Sequence, residues 1–280
     1  MYAKLIEKPG TVRLADHATD DDGGMKRPEG EERLVKLGEE LGELQELLYA
    51  ASQNALLIVL QGRDTSGKDG ATNAVDRYMD VVGVSVASFK EPTKTDLAHD
   101  FLWRIHALVP PLGHVAFFNR SHYEDVLVTR VRNLVPKEVW RARYDHINHF
   151  ESLLADSGVI LVKFYLHISK DEQERRLLAR EQKPEKAWKI AASDWVDRAL
   201  WDDYTHAYED VLGKCVAPHA PWYIVPADRK WFRNVAVAEA LVKTLRPYRA
   251  GWMARLEKMS ETQRAEMRAM RAAAAASKSA

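Results

Sequence analysis

An α/β fold, a parallel sheet of about five strands with helices on both faces, follows from three observations on the sequence. Apolar runs of strand length alternate with helical stretches through residues 29–248. The run at residues 56–60 breaks at Gly62 into a glycine-containing loop. Charged or amide residues (Asp64, Lys68, Glu91, Asn119, Arg120 and Glu124) stand at or just after the ends of these runs. Strands linked by helices require right-handed crossovers, and ligands of such sheets bind at the carboxyl ends of the strands. Those residues therefore converge on one edge.

In chain order, residues 1–28 read as an arm with a strand-like piece at 11–14 and an acidic, glycine-containing run at 20–24. Leu34, Leu37, Leu41, Leu44, Leu47 and Leu48 recur at helical spacing, so residues 29–51 form an amphipathic helix that lies on the sheet or pairs with a second subunit. The first strand, 56–61, feeds a helix over 68–79. A second strand spans 84–89 and a helix 96–106. The third strand, 114–118, ends at Asn119-Arg120, where Ser121 caps a helix bearing His122, Tyr123, Glu124 and Asp125. Pro136 opens a helix to about 155. The fourth strand, 159–168, is β-branched but interrupted by Lys163.

Ser169 caps the next helix, and Arg175, Arg176, Arg180, Lys183, Lys186 and Lys189 follow as a basic segment. It reads as a lid over phosphates or as a solvated face neutralised by its acidic neighbours. A helix over 194–212 carries Trp195, Trp201, Tyr204 and Tyr208 on one face, chiefly as core. The fifth strand is 221–225, and a helix over 231–245 closes the domain. Residues 249–280 have helical propensity but lack a core-forming stripe and read as a frayed tail.

Lys plus Arg and Asp plus Glu both number 41, so no net field favours nucleic acid or membrane, and 46% hydrophobic content suffices for a large core. The single Cys215 excludes an internal disulfide and a cysteine-based zinc cluster. Without a secretory signal or an apolar run of membrane-spanning length, the expectation is a soluble, cytoplasmic protein.

Gly62, Gly67 and Lys68 fit G-x-x-x-x-G-K, in which a strand feeds a loop whose amides converge on phosphate at a helix N-terminus. A bare Gly/Asp turn is the plainer account, but the buried run before it and the helix after it favour an anion cradle. Asp69 stands where a hydroxyl usually meets magnesium. Asp64, beside the cradle, would repel phosphate unless a hard cation lay between them, which makes it a candidate magnesium contact. Asn119 stands where such sheets usually end in a magnesium-reaching aspartate. The Glu124/Asp125 pair is the candidate carboxylate source, with Glu124 the choice and a solvated helix face as its competing account. Lys68 and Arg120 are candidates to clamp a transferred phosphoryl group; a structural ion pair is the alternative for Arg120. Arg130, Arg132, Arg141 and Arg143 are an extended basic track or another solvated face. His146 and His149, three apart, read as surface or packing residues.

GRDTSGKDG (62–70), SFKEPT (88–93), DFLWRIH (100–106), FNRSHYEDVL (118–127), the stretch 167–204 and APWYIVPAD (220–228) together resemble the polyphosphate kinase 2 family, over about residues 30–248. The resemblance implies a P-loop kinase-like three-layer sandwich with a helical lid at about 175–195, moving the terminal phosphate of inorganic polyphosphate onto AMP or ADP with Mg2+, for which Mn2+ can substitute. It implies catalytic roles for Asp64, Lys68, Arg120 and Glu124, with Asp64 and Glu124 on the metal. Gly62, Arg63, Thr65, Ser66, Gly67, Asp69, Arg176, Arg180, Lys186 and Lys189 are the implied phosphate contacts. Lys90, Glu91, Pro92, Thr93, Arg104, Asn119 and Tyr123 are the implied nucleotide contacts. FNRSHYED, with Asn119 in place of aspartate, is similar to the subgroup that accepts AMP as well as ADP. A homo-oligomer, dimer or tetramer, is expected. An ATP-dependent nucleotide kinase and a non-catalytic nucleotide switch are the alternatives; a nucleic-acid module is weaker still, for want of a base-stacking platform.

Overall fold

The computed structural model describes residues 1–182 and 192–276. Among them, six strands form one sheet in the order β1-β6-β5-β2-β4-β3: β1 Lys4–Ile6, β2 Ala55–Gln61, β3 Val84–Ser88, β4 Val115–Asn119, β5 Val159–His167 and β6 Trp222–Pro226. β2 through β6 run parallel, and β1 pairs antiparallel with β6. Every residue of β2 is buried, as a central strand covered on both faces requires.

The helices are α1 Arg27–Ala51, α2 Lys68–Val75, α3 Lys94–Leu97, α4 Trp103–His106, α5 Val128–Val131, α6 Lys137–Asp156, α7 Lys170–Glu181, α8 Ala192–Ala199, α9 Trp201–Lys214, α10 Lys230–Leu245 and α11 Arg249–Ala276. They cover the sheet in two layers. On one face Leu37, Leu41, Leu44 and Leu48 of α1 join Ala71 and Val75 of α2, Val235 to Leu245 of α10 and the sheet residues Ile58 and Phe117. On the other, Ile147 and Phe150 of α6 and Ala207 and Val211 of α9 pack on Leu57, Val59 and Phe118. The leucine face of α1 is thus used within its own chain.

Local chemistry explains most boundaries. Pro28 opens α1, Ser52 ends it in the left-handed conformation, and Ser169 caps α7 by accepting from Glu172 N. Ser121 caps a 3-10 turn, His122–Asp125, as its position after β4 suggested.

Several expectations need correction. The sheet gains β1, formed by 4–6; residues 11–14 lead instead into a 3-10 turn that buries Leu14. The helix expected over 68–79 stops at Val75 and continues as a 3-10 turn. The helix expected over 96–106 is two short pieces: Thr93 and Asp96 close a capping box at the start of α3, and Asp100 accepts from Leu102 N before α4. Residues 249–276, expected to fray, are helical. Trp252, one apolar side chain without a repeating stripe, is 1% exposed and donates its indole N–H to Asn54. Among the described residues no helix is long and apolar enough to cross a membrane.

Candidate functional site

The loop between β2 and α2 needs glycine for shape. Gly62 has φ +148° and Gly67 φ +100°, and a Cβ on Gly67 would meet the Arg233 guanidinium. Thr65 also adopts a left-handed φ, +63°. Among the described residues Ser66 Oγ and Thr65 Oγ1 are buried without hydrogen-bond partners, so two hydroxyls of the loop have unused capacity for a ligand. Lys68 folds back over the loop and donates to the carbonyls of Gly62 (2.7 Å) and Arg63 (3.2 Å). Burial, followed by the charge of Arg120, lowers its pKa to about 8 against the opposing pull of Asp64, Glu124 and Asp69.

The next strand end supplies the countercharges. Arg120 leaves β4 at φ +62°, its N–H held by Leu60 O at 3.0 Å, and this turn aims its guanidinium at Asp64 Oδ1, 2.7 Å away. Glu124 stands on the capped 3-10 turn one step later. Burial raises its carboxyl above the usual range, while Arg120 and Lys68 pull it down and Asp64 pushes it up. Gln61, oriented with its amide nitrogen on Glu124 Oε1 (3.1 Å) and its oxygen toward Ser121, fixes that carboxylate. Asn119 donates to Asp69 across the loop.

These groups open into a cleft of about 470 Å³ bounded by Gly62, Arg63 and Asp64, by Phe89 to Pro92, and by Arg104, Arg120 and Glu124. Lys90, Glu91, Pro92 and Arg104 all line this cleft, with Arg104 donating to Lys90 O at 2.9 Å. The opposite wall was missed. Asp194 and Asp197 of α8 and Tyr204 and Tyr208 of α9 line it; Asp125, weighed with Glu124 from the sequence, lines the cleft too. Burial and then Asp64 push Asp194 up to about 6; burial pushes Asp125 to about 6 against Arg143 and Arg104. The one available signal for this wall was the aromatic face of residues 195–208, which core packing explained equally well.

Some expected contacts are elsewhere. Tyr123 is fully buried and its hydroxyl donates to Glu151 at 2.6 Å, because adjacent residues of a 3-10 turn point apart and Glu124 takes the cleft side. Arg176 is pinned beneath the loop, donating to the carbonyls of Thr65 (2.9 Å), Ala227 (2.7 Å) and Asp228 (2.8 Å) and pairing with Glu172. It braces the loop instead of riding a lid. Arg180 pairs with Asp194 at 3.1 Å. Thr93 is exposed and engaged in its capping box. Arg63 lines the cleft, but its guanidinium is held by Trp201 O (2.7 Å) and lies 3.7 Å over the Trp201 ring. Arg130, Arg132 and Arg143 pair with Asp210, Asp197 and Asp125, so each of them carries its own countercharge. Lys183, Lys186 and Lys189 lie outside the described residues.

Among the described residues no group of three or more His, Cys, Asp or Glu side chains forms a ready-made metal cage. Asp64 and Glu124 are all-oxygen donors that repel one another across the mouth of the loop. That set fits a hard cation completing its shell with phosphate oxygens and water.

Residues 24–250 match the family model described as polyphosphate kinase 2. An AMP/ADP-polyphosphate phosphotransferase of Meiothermus ruber is 52% identical over 242 residues, 86% of this chain and 91% of the relative. An ADP-polyphosphate phosphotransferase of Rhodopseudomonas palustris is 42% identical over 74% of this chain and 76% of its own. The crystal structure of polyphosphate kinase 2 from Arthrobacter aurescens TC1 superposes with a TM-score of 0.82 at 40% identity, covering 85% of this chain and 87% of that one.

Proposed function

The chain belongs to the polyphosphate kinase 2 family and is a phosphotransferase, and on that premise we propose that it moves the terminal phosphate of inorganic polyphosphate onto AMP and ADP, forming ADP and ATP. One observation carries the reading: Gly62 to Asp64 of the glycine loop, Arg120 and Glu124 line one cleft with Phe89 and Pro92, large enough for a nucleotide, and Lys68 lies buried against the carbonyls of that loop.

In the reaction an oxygen of the acceptor's terminal phosphate attacks the terminal phosphorus of the chain, and the bond to the penultimate phosphate breaks. The shortened chain leaves with the bridging oxygen. Such a transfer needs positioning and positive charge more than proton transfer. Lys68 exchanges its bonds to the Gly62 and Arg63 carbonyls for phosphate oxygens. Arg120, held by Asp64, steadies the oxygens of the transferred group. Asp64 and Glu124 would hold magnesium, or manganese in its place, which would supply positive charge against the phosphate oxygens. Phe89 and the loop 90–92 flank the acceptor, with Arg104 beside them. Asn119, tied to Asp69, leaves Glu124 to supply the negative charge at this strand end, which supports use of AMP as well as ADP.

We assign the reaction to residues 29–248 in a cytoplasmic homo-oligomer; residues 183–191, the centre of the lid expected at about 175–195, lie outside the described residues. The exposed Trp195 and Val196 of α8 support an oligomer. The test is a coupled assay with magnesium that offers AMP and ADP separately, each with polyphosphate or ATP. ATP made from polyphosphate with either acceptor is the expected result; phosphate moving only from ATP would leave an ordinary nucleotide kinase.

A further inference from the structure

Two arginines lie beneath the phosphate loop, and they are not alike. Arg176 has Glu172 as an ion pair and four backbone carbonyls within hydrogen-bond reach. Arg233, 3% exposed in the first turn of α10, has the side-chain oxygen of Asn234 (2.7 and 3.1 Å) and a long 3.4 Å contact to Ser66 O. Among the described residues no carboxylate pairs with it.

Its place makes that charge costlier. A helix N-terminus already carries partial positive charge, and Arg176 adds a full one nearby. Burial, followed by the charge of Arg176, lowers the Arg233 pKa to about 10. An unpaired buried cation is destabilising, so a merely structural peg would be better served by a neutral side chain. Yet the guanidinium fills the space a Cβ would take at Gly67 and lies 2.9 Å from that of Gly70, against the first turn of the helix that opens the anion cradle.

We propose that Arg233 is a positioning residue that backs the phosphate loop electrostatically: its missing countercharge is the phosphate bound on the loop, so it sets the affinity for the phosphate chain without touching it. The proposal rests on the phosphotransferase reading above and adds a determinant of donor binding. Ligand-free protein carries an unbalanced charge there, and phosphate binding relieves it.

The test compares Arg233→Met, which keeps bulk and removes charge, with Arg233→Lys, which keeps charge. Binding of inorganic tripolyphosphate is followed by calorimetry and by the thermal midpoint, alongside steady-state transfer to ADP. For Arg233→Met the expected result is an affinity loss of about tenfold or more, with KM for the chain rising to match and kcat within about threefold. Its ligand-free midpoint stays at or above that of the wild type, and the tripolyphosphate-induced shift shrinks. Arg233→Lys recovers most of the affinity. Unchanged affinity in Arg233→Met, equal losses in both variants, or failure of Arg233→Met to fold would each overturn the proposal. A wild-type protein that neither binds tripolyphosphate nor transfers from it would instead overturn the functional reading, so the two failures are distinct.

Discussion

Glu151→Gln probes what holds Glu124 in the cleft. Lys163, the lone charge of strand β5, is fully buried. Its ammonium donates to Glu151 Oε2 (2.5 Å), the Tyr123 hydroxyl (2.9 Å) and Cys215 O (2.9 Å). Glu151 Oε1 in turn receives the Tyr123 hydroxyl at 2.6 Å and faces His122 Nε2 at 3.3 Å. Tyr123 and His122 immediately precede Glu124, so this network anchors the turn that carries it. Glutamine preserves shape and removes the anion, leaving Lys163 charged in the core. Breaking a buried pair from one side costs about 3–5 kcal/mol. At about 2–4 °C per kcal/mol for domains approaching this size, the thermal midpoint falls by roughly 6–20 °C. Urea unfolding followed by tryptophan fluorescence measures the loss directly, and the double replacement Lys163→Met with Glu151→Leu should recover much of it. Neutralising the exposed Glu32 of the Lys36 pair should leave the midpoint unchanged. A loss below about 1 kcal/mol for Glu151→Gln, or a double variant less stable than the single one, would refute the reasoning.

Three further outcomes follow from the site. Lys68→Ala should lower transfer by at least about 10²-fold with an unchanged far-ultraviolet circular dichroism spectrum, since its ammonium faces loop carbonyls and no core partner; retained activity would remove it from the site. With its pKa lowered to about 8, Lys68 is charged below that pH and loses its proton above it; phosphate favours the charged form, so binding should weaken as pH rises through about 8 and take up a proton there. Calorimetry in buffers of different ionisation enthalpy reads that uptake, and its absence would assign the lowered pKa no role. Glu124→Asn should weaken use of AMP more than use of ADP; equal loss in steady-state comparisons would make Glu124 a general metal contact.

The parts of the site legible in the sequence are those that impose backbone requirements. A cradle of converging amides needs Gly62 and Gly67 at fixed spacing, and a capped turn after β4 needs Ser121, so both could be read without tertiary information. Arg120 stood out as a charge ending a buried strand, and Glu124 because Asn119 stands where a carboxylate is usual. What escaped was set by side-chain direction and long-range packing. Tyr123 and Glu124 are neighbours in sequence yet face opposite ways, one toward Lys163 and one toward Lys68. Asp194, Asp197 and Tyr204 come more than 120 residues after the loop and meet it only when α8 and α9 fold across the sheet edge. Arg176 belonged to what read as a basic run on a helix, and nothing local marked it as the one that turns under the loop. β1 spans three residues, too few for any periodicity to register.

Phosphorus NMR of the purified protein with magnesium, tripolyphosphate and AMP follows the transferred phosphate itself. The tripolyphosphate resonances should decline as the β-phosphate of ADP and then the γ-phosphate of ATP grow in matching amount, and Lys68→Ala should stop both changes. Release of orthophosphate alone, with AMP left intact, would mean that the cleft cleaves a phosphate chain without transferring it, and would contradict the account.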